Sequence, residues 1–320
     1  MELCISAAAV RDGAVSELYT EGPVTGSSLF QVASISKFVF TAAFLRLTHE
    51  ADISLDTDVV PLLKGFSLKT QSGAAARATI RELLSHTAGV SPSGFGGYDE
   101  PSPLPSTLEI LNGTGPCSTK RFVQISEPGL HWSYTGGGFM MLQLFAEQFT
   151  GLSMEQFMRR YILDPLSMHS STFLQASDAV PVDGIPFYDP PLPHGHRFFP
   201  EGAAAGLITT PSDIALFGAA LQASLSGNGI LPQHLAEEMV TPQCSDVFTM
   251  ESTRDCMTGL GCYLKDINGR RYFGHQGDNP GYLSVADFSL DGEKGVCACI
   301  NSDSPEAEKH MYEIQEMLLG

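Results

Sequence analysis

The sequence predicts an α/β (α+β) fold in which both ends of the chain form one antiparallel sheet flanked by helices, with a mostly helical lobe inserted between them. Strand-like stretches occur near the start and near the end of the 320-residue chain. The stretch from about Asp56 to Phe199 is instead helical and rich in loops. We therefore expect a sheet lobe of residues 1–58 and 205–320 and a helical insert lobe of residues 59–204.

The chain begins with a predicted β-hairpin, because the runs CISAAAV and AVSELY flank the turn RDG. A helix from about Ser34 to Glu50 should follow. Its first turns, in FQVASISKFVF, are mostly apolar and therefore mostly buried. A lysine, Lys37, lies in this apolar run, and lysine is seldom buried without a partner.

The middle of the chain carries clear helix signals. Thr79 and Glu82 in TIRELL have the spacing of a capping box, and SMEQFMRRYIL has the periodicity of an amphipathic helix. Two stretches rich in Gly and Pro also contain aromatic residues, SPSGFGGYDEPSPLPS and PFYDPPLPHGHRFFP. They predict ordered loops, which commonly line a cleft.

The last third of the chain returns to strands. A helix over TTPSDIALFGAALQ, with Pro211 near its first turn, precedes three strand-like stretches, GLGCYLKD, GYLSVADFS and GVCACINS. A terminal helix over PEAEKHMYEIQEMLL closes the chain. Cys297 and Cys299 share one strand face, where we expect them to act as small apolar side chains.

Composition excludes several classes of function. The formal net charge of −18 is spread over short acidic clusters, which argues against binding to nucleic acid or to an anionic membrane. No basic segment followed by a long apolar stretch begins the chain, and no segment has transmembrane length, so we expect a cytoplasmic protein. The seven cysteines include no C-x-x-C pair, so a disulfide framework is not expected.

Ser34 and Lys37 form an S-x-x-K tetrapeptide with a chemical interpretation. Positions i and i+3 of a helix lie on one face, so the lysine amine can approach the serine hydroxyl. Burial and a helix N-terminus both disfavour the ammonium form, which leaves a neutral amine able to take the serine proton. The Ser34 backbone N–H at this helix start could also face an oxyanion.

Two further stretches give this tetrapeptide a context. HWSYTGGGFMMLQ places Tyr134 before three glycines, and YFGHQGDNPGYLS places His275, Gln276 and Gly277 at a strand end. With LLSHTAGV, DPLSM and AAAGLITTPSDIALF, these stretches follow a shared order. In these motifs the chain resembles the serine β-lactamase and penicillin-binding-protein superfamily, specifically its class C-like (family VIII-type) esterases and serine hydrolases.

The resemblance implies a β-lactamase/transpeptidase-like fold that forms a single catalytic unit over nearly the whole chain. It implies that Ser34 is the acylated nucleophile and that Lys37 and Tyr134 handle its proton. The oxyanion hole would use the backbone N–H groups of Ser34 and Asp278. His275 would stand where other members have lysine, near the polar end of the ligand.

Two features depart from the family pattern. Lactam- and peptide-processing members usually have asparagine at the third position of the second motif, where its side chain binds the ligand amide; this chain has Gly136. We also expect no helix before the first strand, where family members usually have one. We therefore expect one sheet face to depend more on the C-terminal helix or on a partner.

Other polar and aromatic residues have simpler interpretations. His86, in SHTAG, is expected to be a hydrogen-bonded turn residue. His194 and His196 lack the third ligand of a metal site and are expected to line the cleft. Trp132 is either a substrate wall or a loop anchor. We assign Gly136, Gln276, Gly277 and Trp132 to the substrate-binding residues and expect no metal.

The sequence therefore predicts a serine hydrolase or acyltransferase that uses no metal or organic cofactor. Its substrate would be a small-molecule ester, thioester or amide, and its partners would include a possible acyl acceptor. The alternatives are a β-lactamase or D-amino-acid peptidase, which Gly136 disfavours, and a ligand-sensing protein of the same fold that does not turn over.

Overall fold

The computed structural model describes residues 3–99, 103–175, 197–249 and 254–320. An eight-stranded antiparallel sheet forms its centre, in the order β2-β1-β12-β11-β10-β9-β8-β7. These strands are β1 (Ile5–Arg11), β2 (Ala14–Glu21), β7 (Phe248–Thr249), β8 (Asp255–Thr258), β9 (Tyr263–Ile267), β10 (Arg270–Asn279), β11 (Tyr282–Ser289) and β12 (Lys294–Ile300). Both chain ends contribute strands to this sheet, as predicted.

The two ends of the chain meet inside the sheet. Strand β1 pairs with β2 through the predicted hairpin and with β12 through the register Ile5 to Ile300. Both β1 and β12 are buried along nearly their whole length, which explains their almost continuous apolar sequences. Strands β7 and β8 extend the sheet beyond the three C-terminal stretches that the sequence indicated.

Four short strands lie outside this sheet and form two small ribbons. They are β3 (Phe30–Gln31), which pairs with β6 (Ile208–Thr209), and β4 (Tyr98–Asp99), which pairs with β5 (Arg197–Phe198). The β4–β5 ribbon joins the described parts of the two loops rich in Gly and Pro by backbone pairing, and most of PFYDPPLPHGHRFFP lies outside the described residues.

The helices of the described residues are α1 (Ile35–Glu50), α2 (Ile80–Leu84), α3 (Thr107–Asn112), α4 (Gly137–Thr150), α5 (Met154–Met158), α6 (Gly202–Ala205), α7 (Pro211–Leu225), α8 (Gln233–Met239) and α9 (Pro305–Leu319). Five of the helices, α1, α2, α5, α7 and α9, lie where the sequence signals indicated helices. Thr79 and Glu82 form the predicted capping box at α2. The predicted helix after Ser153 is divided, because α5 continues as one π-helical turn, Arg159–Leu163.

Helices cover both faces of the sheet. On one face, Phe38 of α1 packs edge-on against Phe217 of α7, with 5.0 Å between the ring centroids, and also contacts Phe273 and Phe288 of the sheet. Cys297 and Cys299 point into this same core and are fully buried, as expected for small apolar residues.

The opposite face is covered by the C-terminal helix. Met311, Ile314 and Leu318 of α9 pack against sheet residues that alternate with those of the first face, such as Val285 and Val296. The expectation that this face depends on the C-terminal helix agrees with the packing. The residue boundaries predicted for the two lobes stay a prediction.

Across the residues that the structure describes, no helix combines the length and the apolar composition that crossing a bilayer requires.

Candidate active site

The start of α1 places Ser34 in one cavity wall, opposite residues of strand β10. Ala33, just before it, has a φ of +45°, in the left-handed region that non-glycine residues rarely adopt. This sharp turn joins β3 to the helix, and the Ala33 carbonyl accepts hydrogen bonds from both the N–H and the hydroxyl of Ser36. Ser34 is the helix N-cap and is partly exposed, whereas its neighbours on both sides are buried.

Lys37 lies one turn further along and contacts Ser34. Its Nζ is 3.0 Å from Ser34 Oγ and 2.6 Å from the carbonyl oxygen of Ala204, to which it donates a hydrogen bond. Only 2% of the residue is exposed, and both of these partners are neutral. Burial lowers the pKa of Lys37 from 10.5 to about 7, so a large share of the amine is neutral at physiological pH.

Tyr134 completes the group from the second motif, just before α4. Its hydroxyl donates to Ser34 Oγ at 2.7 Å, and Lys37 Nζ lies 4.9 Å from the centre of its ring. Burial raises the pKa of this phenol, so it carries its proton at neutral pH. Ser34 Oγ therefore lies between an amine and a phenol, as the resemblance implied.

His86 holds both neighbours of Tyr134 in place. Its carbonyl accepts from the Ser133 N–H at 2.8 Å, and its Nδ1 accepts from the Thr135 N–H at 3.1 Å. Its ring lies against the Tyr134 ring, with 4.6 Å between centroids. Burial keeps the pKa of His86 well below its usual value, so the ring is neutral and carries its proton on Nε2. The hydrogen-bonded turn expected for His86 is present, at a φ of +59°, but its contact with Tyr134 was not foreseen.

The third motif lies on β10 and forms the opposite side of the site. His275 donates from Nδ1 to the Gln276 carbonyl oxygen at 2.5 Å and stacks on Tyr263, with 4.4 Å between ring centroids. Burial and the nearby Lys37 lower the pKa of His275 to about 3, so it carries no positive charge at neutral pH. Its position matches that of the family lysine, but its charge does not.

Gly277 and Gln276 fix how β10 approaches the rest of the site. A Cβ at Gly277 would lie 2.2 Å from the carbonyl oxygen of Val32 and 2.4 Å from Ser284 Oγ, so only glycine allows this approach to the turn before Ser34. The Gln276 side chain donates to the Tyr312 hydroxyl of α9 at 2.6 Å. The C-terminal helix therefore supports the third motif from outside.

Tyr263 is a site residue that sequence reasoning missed. It comes from β9, where it pairs with Gly274, and its phenol lies near that of Tyr134, so that each affects the pKa of the other. Tyr134 in turn donates to Ser34, so Tyr263 lies behind the phenol that contacts Ser34 Oγ. No spacing in the sequence indicated this contact, because strand register alone brings Tyr263 beside His275.

These residues surround a cavity of about 320 Å³, which lies within the usual size range of small-molecule sites. Every site residue that the sequence predicted lines this cavity, except Gly136. The predicted residues that line it are Ser34, Lys37, Trp132, Tyr134, His275, Gln276, Gly277 and Asp278. Trp132 is a wall of this cavity and stacks face to face on Phe248, with 3.7 Å between centroids.

Gly136 lies behind the cavity wall. It is buried, and a Cβ built on it would lie only 2.6 Å from Cε2 of Phe95, whose side chain lines the cavity. The position that carries an amide-binding asparagine in lactam-processing members is therefore covered here by an aromatic ring. Gly136 thus affects the site through its lack of a side chain and not by direct contact with a ligand.

Within the described ranges, no group of histidine, cysteine, aspartate or glutamate side chains is arranged to hold a metal ion. His194 and His196, which we expected to line the cleft, lie outside the described residues.

Taken together, the geometry is that of a serine nucleophile with a base and an acid. A neutral Lys37 can accept the Ser34 proton at 3.0 Å, and the protonated Tyr134 can supply a proton to a leaving group near the same oxygen. Asp278 lines the cavity next to Gly277, and the use of its backbone N–H as an oxyanion donor stays a prediction.

Comparison with known proteins identifies the family of the chain. The family model described as Beta-lactamase matches residues 2–318. The chain is 26% identical over 325 residues to penicillin-binding protein 4 of Amycolatopsis lactamdurans, covering 93% of this chain and 78% of that protein. It is 26% identical over 245 residues to esterase EstB of Burkholderia gladioli, covering 67% of this chain and 62% of the esterase.

A solved structure shares the fold. The octameric penicillin-binding protein homologue from Pyrococcus abyssi matches 98% of this chain and 73% of its own length, with a TM-score of 0.78 and 22% sequence identity. At this identity the structural similarity is evidence for the fold alone, and it confirms the fold class predicted from the sequence.

Proposed function

The chain belongs to the Beta-lactamase family, and on that premise we propose that it is a serine acyl enzyme, an esterase or acyltransferase for small-molecule esters or thioesters. One observation carries the proposal. Ser34 Oγ lies 3.0 Å from the amine of Lys37 and 2.7 Å from the hydroxyl of Tyr134, in the wall of a cavity. A serine held between a neutral base and a protonated phenol can attack a carbonyl carbon and then release a leaving group.

Acylation requires two proton transfers, one from the Ser34 hydroxyl and one to the leaving group. Lys37 takes the Ser34 proton as Oγ bonds to the substrate carbonyl carbon, and the carbonyl oxygen becomes an oxyanion. Tyr134 then donates its proton to the departing alkoxide or thiolate, and the Lys37 ammonium returns a proton to Tyr134. Deacylation reverses these roles, with water or an alcohol acceptor as the nucleophile.

Two features of the cavity favour esters over lactams and peptides. Position 136 offers no side chain that could bind an amide N–H, and Phe95 covers the space where such a side chain would lie. His275 is neutral and buried, so it cannot pair with the carboxylate that β-lactams and peptide C-termini carry. An ester needs neither interaction and has the better leaving group.

Water and an alcohol can both reach an acyl group in an open cavity, so hydrolysis and acyl transfer are two outcomes of one acyl enzyme. The cavity volume of about 320 Å³ leaves room for a small acceptor beside a short acyl chain. Trp132 and Phe95 give this space apolar walls. We therefore expect apolar alcohols to compete with water.

The test measures covalent labelling and turnover together. Intact mass after exposure to a fluorophosphonate should show one adduct, and a panel of short p-nitrophenyl esters should be hydrolysed, with acceptor alcohols added in parallel reactions. We expect kcat/KM for these esters to exceed that for a chromogenic cephalosporin by at least about 10²-fold. Comparable efficiency on the two substrates, both lost in Ser34→Ala, would instead identify a lactamase.

Other outcomes of the same experiment separate the remaining classes of protein. A stable adduct on Ser34 without turnover would identify a ligand sensor that becomes acylated. No adduct under conditions that label a related esterase would contradict the proposal as a whole.

A further inference from the structure

The segment 91–97 packs directly on the second motif and brings an aromatic ring into the cavity. A Cβ at Gly136 would lie 2.6 Å from Cε2 and 3.3 Å from Cδ2 of Phe95. Contacts below 3.0 Å are essentially never seen for a real Cβ, so any side chain at position 136 would require the Phe95 ring to move.

Hydrogen bonds hold this segment against three consecutive residues of the motif. The Thr135 hydroxyl donates to the Pro92 carbonyl oxygen at 3.0 Å, and the Gly137 N–H donates to the same oxygen at 3.0 Å. The Gly136 N–H donates to the Ser93 carbonyl oxygen at 2.8 Å. The segment therefore cannot slide away from the motif without losing all three bonds.

The two glycines permit this close packing. A Cβ at Gly137 would lie 2.5 Å from the carbonyl oxygen of Ser91, just as one at Gly136 would collide with Phe95. Because Gly136 and Gly137 have no side chains, the segment 91–97 packs directly against their backbone.

The Phe95 ring is also held from the other side. It packs against Phe122, with 6.1 Å between ring centroids, and against the main hydrophobic core. Phe122 is fully buried, so the Phe95 ring is confined between it and Gly136. Its remaining edge lines the cavity beside Trp132 and Tyr134.

We propose that Phe95 is the specificity-determining residue of this site, which selects esters and thioesters with apolar groups and rejects amides. The ring fills the place of an amide-binding side chain and presents only carbon atoms to the substrate. An amide N–H that enters the cavity beside it loses its hydrogen bond to water and gains none from this wall. An ester oxygen in the same place has no proton that needs a partner. This inference rests on the proposed Ser34 acyl enzyme.

The experiment compares a matched ester and amide on four enzymes. The substrates are p-nitrophenyl butyrate and p-nitrobutyranilide, which share the acyl group and a nitroaromatic leaving group. The enzymes are the wild type, Phe95→Ala, Gly136→Asn and the double variant. Fluorophosphonate titration of Ser34 counts the active sites in each preparation, so that partly unfolded protein does not distort kcat/KM.

The three variants should behave differently. Gly136→Asn alone should lower kcat/KM for both substrates without favouring the anilide, because its side chain collides with Phe95. Phe95→Ala should lower ester turnover, chiefly through KM, by about three- to 30-fold, since an apolar wall is lost. The double variant should raise the anilide-to-ester ratio of kcat/KM above that of Phe95→Ala by about five- to 150-fold, the range for one restored buried hydrogen bond.

A matched control removes a phenylalanine elsewhere. Phe149 lies on α4, the helix that begins beside Gly136, and its side chain is 54% exposed. Phe149→Ala should leave the anilide-to-ester ratio unchanged, which separates the effect of the cavity from that of losing an aromatic residue.

Distinct results would overturn this inference and the proposed function. If Gly136→Asn alone raises the anilide-to-ester ratio as much as the double variant does, Phe95 does not block amide binding. If the double variant does not label with fluorophosphonate, Phe95→Ala decides: it must raise the anilide-to-ester ratio above the wild-type value, because removal of the ring lets water reach the amide N–H, and an unchanged ratio overturns the inference. A wild type without Ser34-dependent ester turnover would instead contradict the proposed function itself.

Discussion

Two walls of one cavity differ in how their residues are held. The catalytic wall, formed by Ser34, Lys37 and Tyr134, is polar, and both the Lys37 amine and the Tyr134 hydroxyl lie within 3.0 Å of Ser34 Oγ. The selective wall, formed by Phe95 and Trp132, presents aromatic surfaces held by packing against other rings. Under the proposed function, the first wall determines which bond can be broken, whereas the second determines which molecule can enter. Changes in the catalytic wall should therefore affect all substrates, and changes in the selective wall should affect their ratio.

Loss of the nucleophile should have the largest effect. Ser34→Ala should abolish both the fluorophosphonate adduct and all ester turnover, because Ser34 Oγ is the hydroxyl that contacts both the Lys37 amine and the Tyr134 phenol. The fold should remain intact, since the side chain is small and partly exposed. Intact mass and thermal unfolding measure the two expectations. Labelling at the wild-type level would exclude Ser34 as the nucleophile.

Loss of the base should cost about 10²–10⁴-fold in acylation rate. Lys37→Ala removes the amine, and Lys37→Arg is the matched control, because it keeps a cation that cannot be deprotonated in proteins. Both variants should be slow if the amine works as a base, whereas Lys37→Arg should retain activity if only positive charge matters. Single-turnover acylation with p-nitrophenyl butyrate provides the measurement, and a loss below about tenfold would indicate another base.

Tyr134→Phe removes only the hydroxyl and should slow turnover by a similar factor, about 10²–10⁴-fold, with the fold unchanged. The loss should be smaller for p-nitrophenyl esters than for alkyl esters of the same acid, because nitrophenolate leaves without a proton and an alkoxide does not. Steady-state kcat on the two leaving groups measures this difference. Equal activity of the variant and the wild type would leave Tyr134 a purely structural residue.

The pH dependence of the acylation rate should follow the titration of the Lys37 amine. Burial lowers the pKa of Lys37 from 10.5 to about 7, and only the neutral form can accept the Ser34 proton. The acylation rate should therefore rise about tenfold per pH unit below this pKa and level off above it. A profile of kcat/KM against pH measures the midpoint. A rate that falls as the pH rises through 7 would contradict the assignment of Lys37 as base.

The smallest expected effect concerns His86, which acts through Tyr134. His86→Ala should lower kcat per titrated active site by about tenfold, because the proton donor Tyr134 would no longer be held in position, while KM changes little. His86→Asn should restore part of the loss, because asparagine tolerates the left-handed backbone and offers an oxygen to the Thr135 N–H. A lowered melting temperature with unchanged kcat per active site would show that His86 serves the fold alone.

Most of the catalytic wall could be predicted from the sequence because it depends on short spacings. Ser34 and Lys37 are one helical turn apart, so forming α1 is enough to bring them together. The hairpin of the buried strand β1 with β2, and the terminal helix α9, were equally local, since strand and helix periodicities appear directly in the apolar pattern. The resemblance then added Tyr134 and the third motif, which no spacing alone connects to Ser34.

The sequence by itself determined the fold class, the helix that carries Ser34 and Lys37, and the identity of the second and third motifs. Only the tertiary structure decided that Phe95 covers Gly136, that His86 supports Tyr134 and that Tyr263 lies near the same phenol. These contacts join segments that are distant along the chain, so they depend on strand register and on the path of a loop. Local periodicity carries no information about either, because the same apolar pattern is compatible with many ways of packing a loop on a helix.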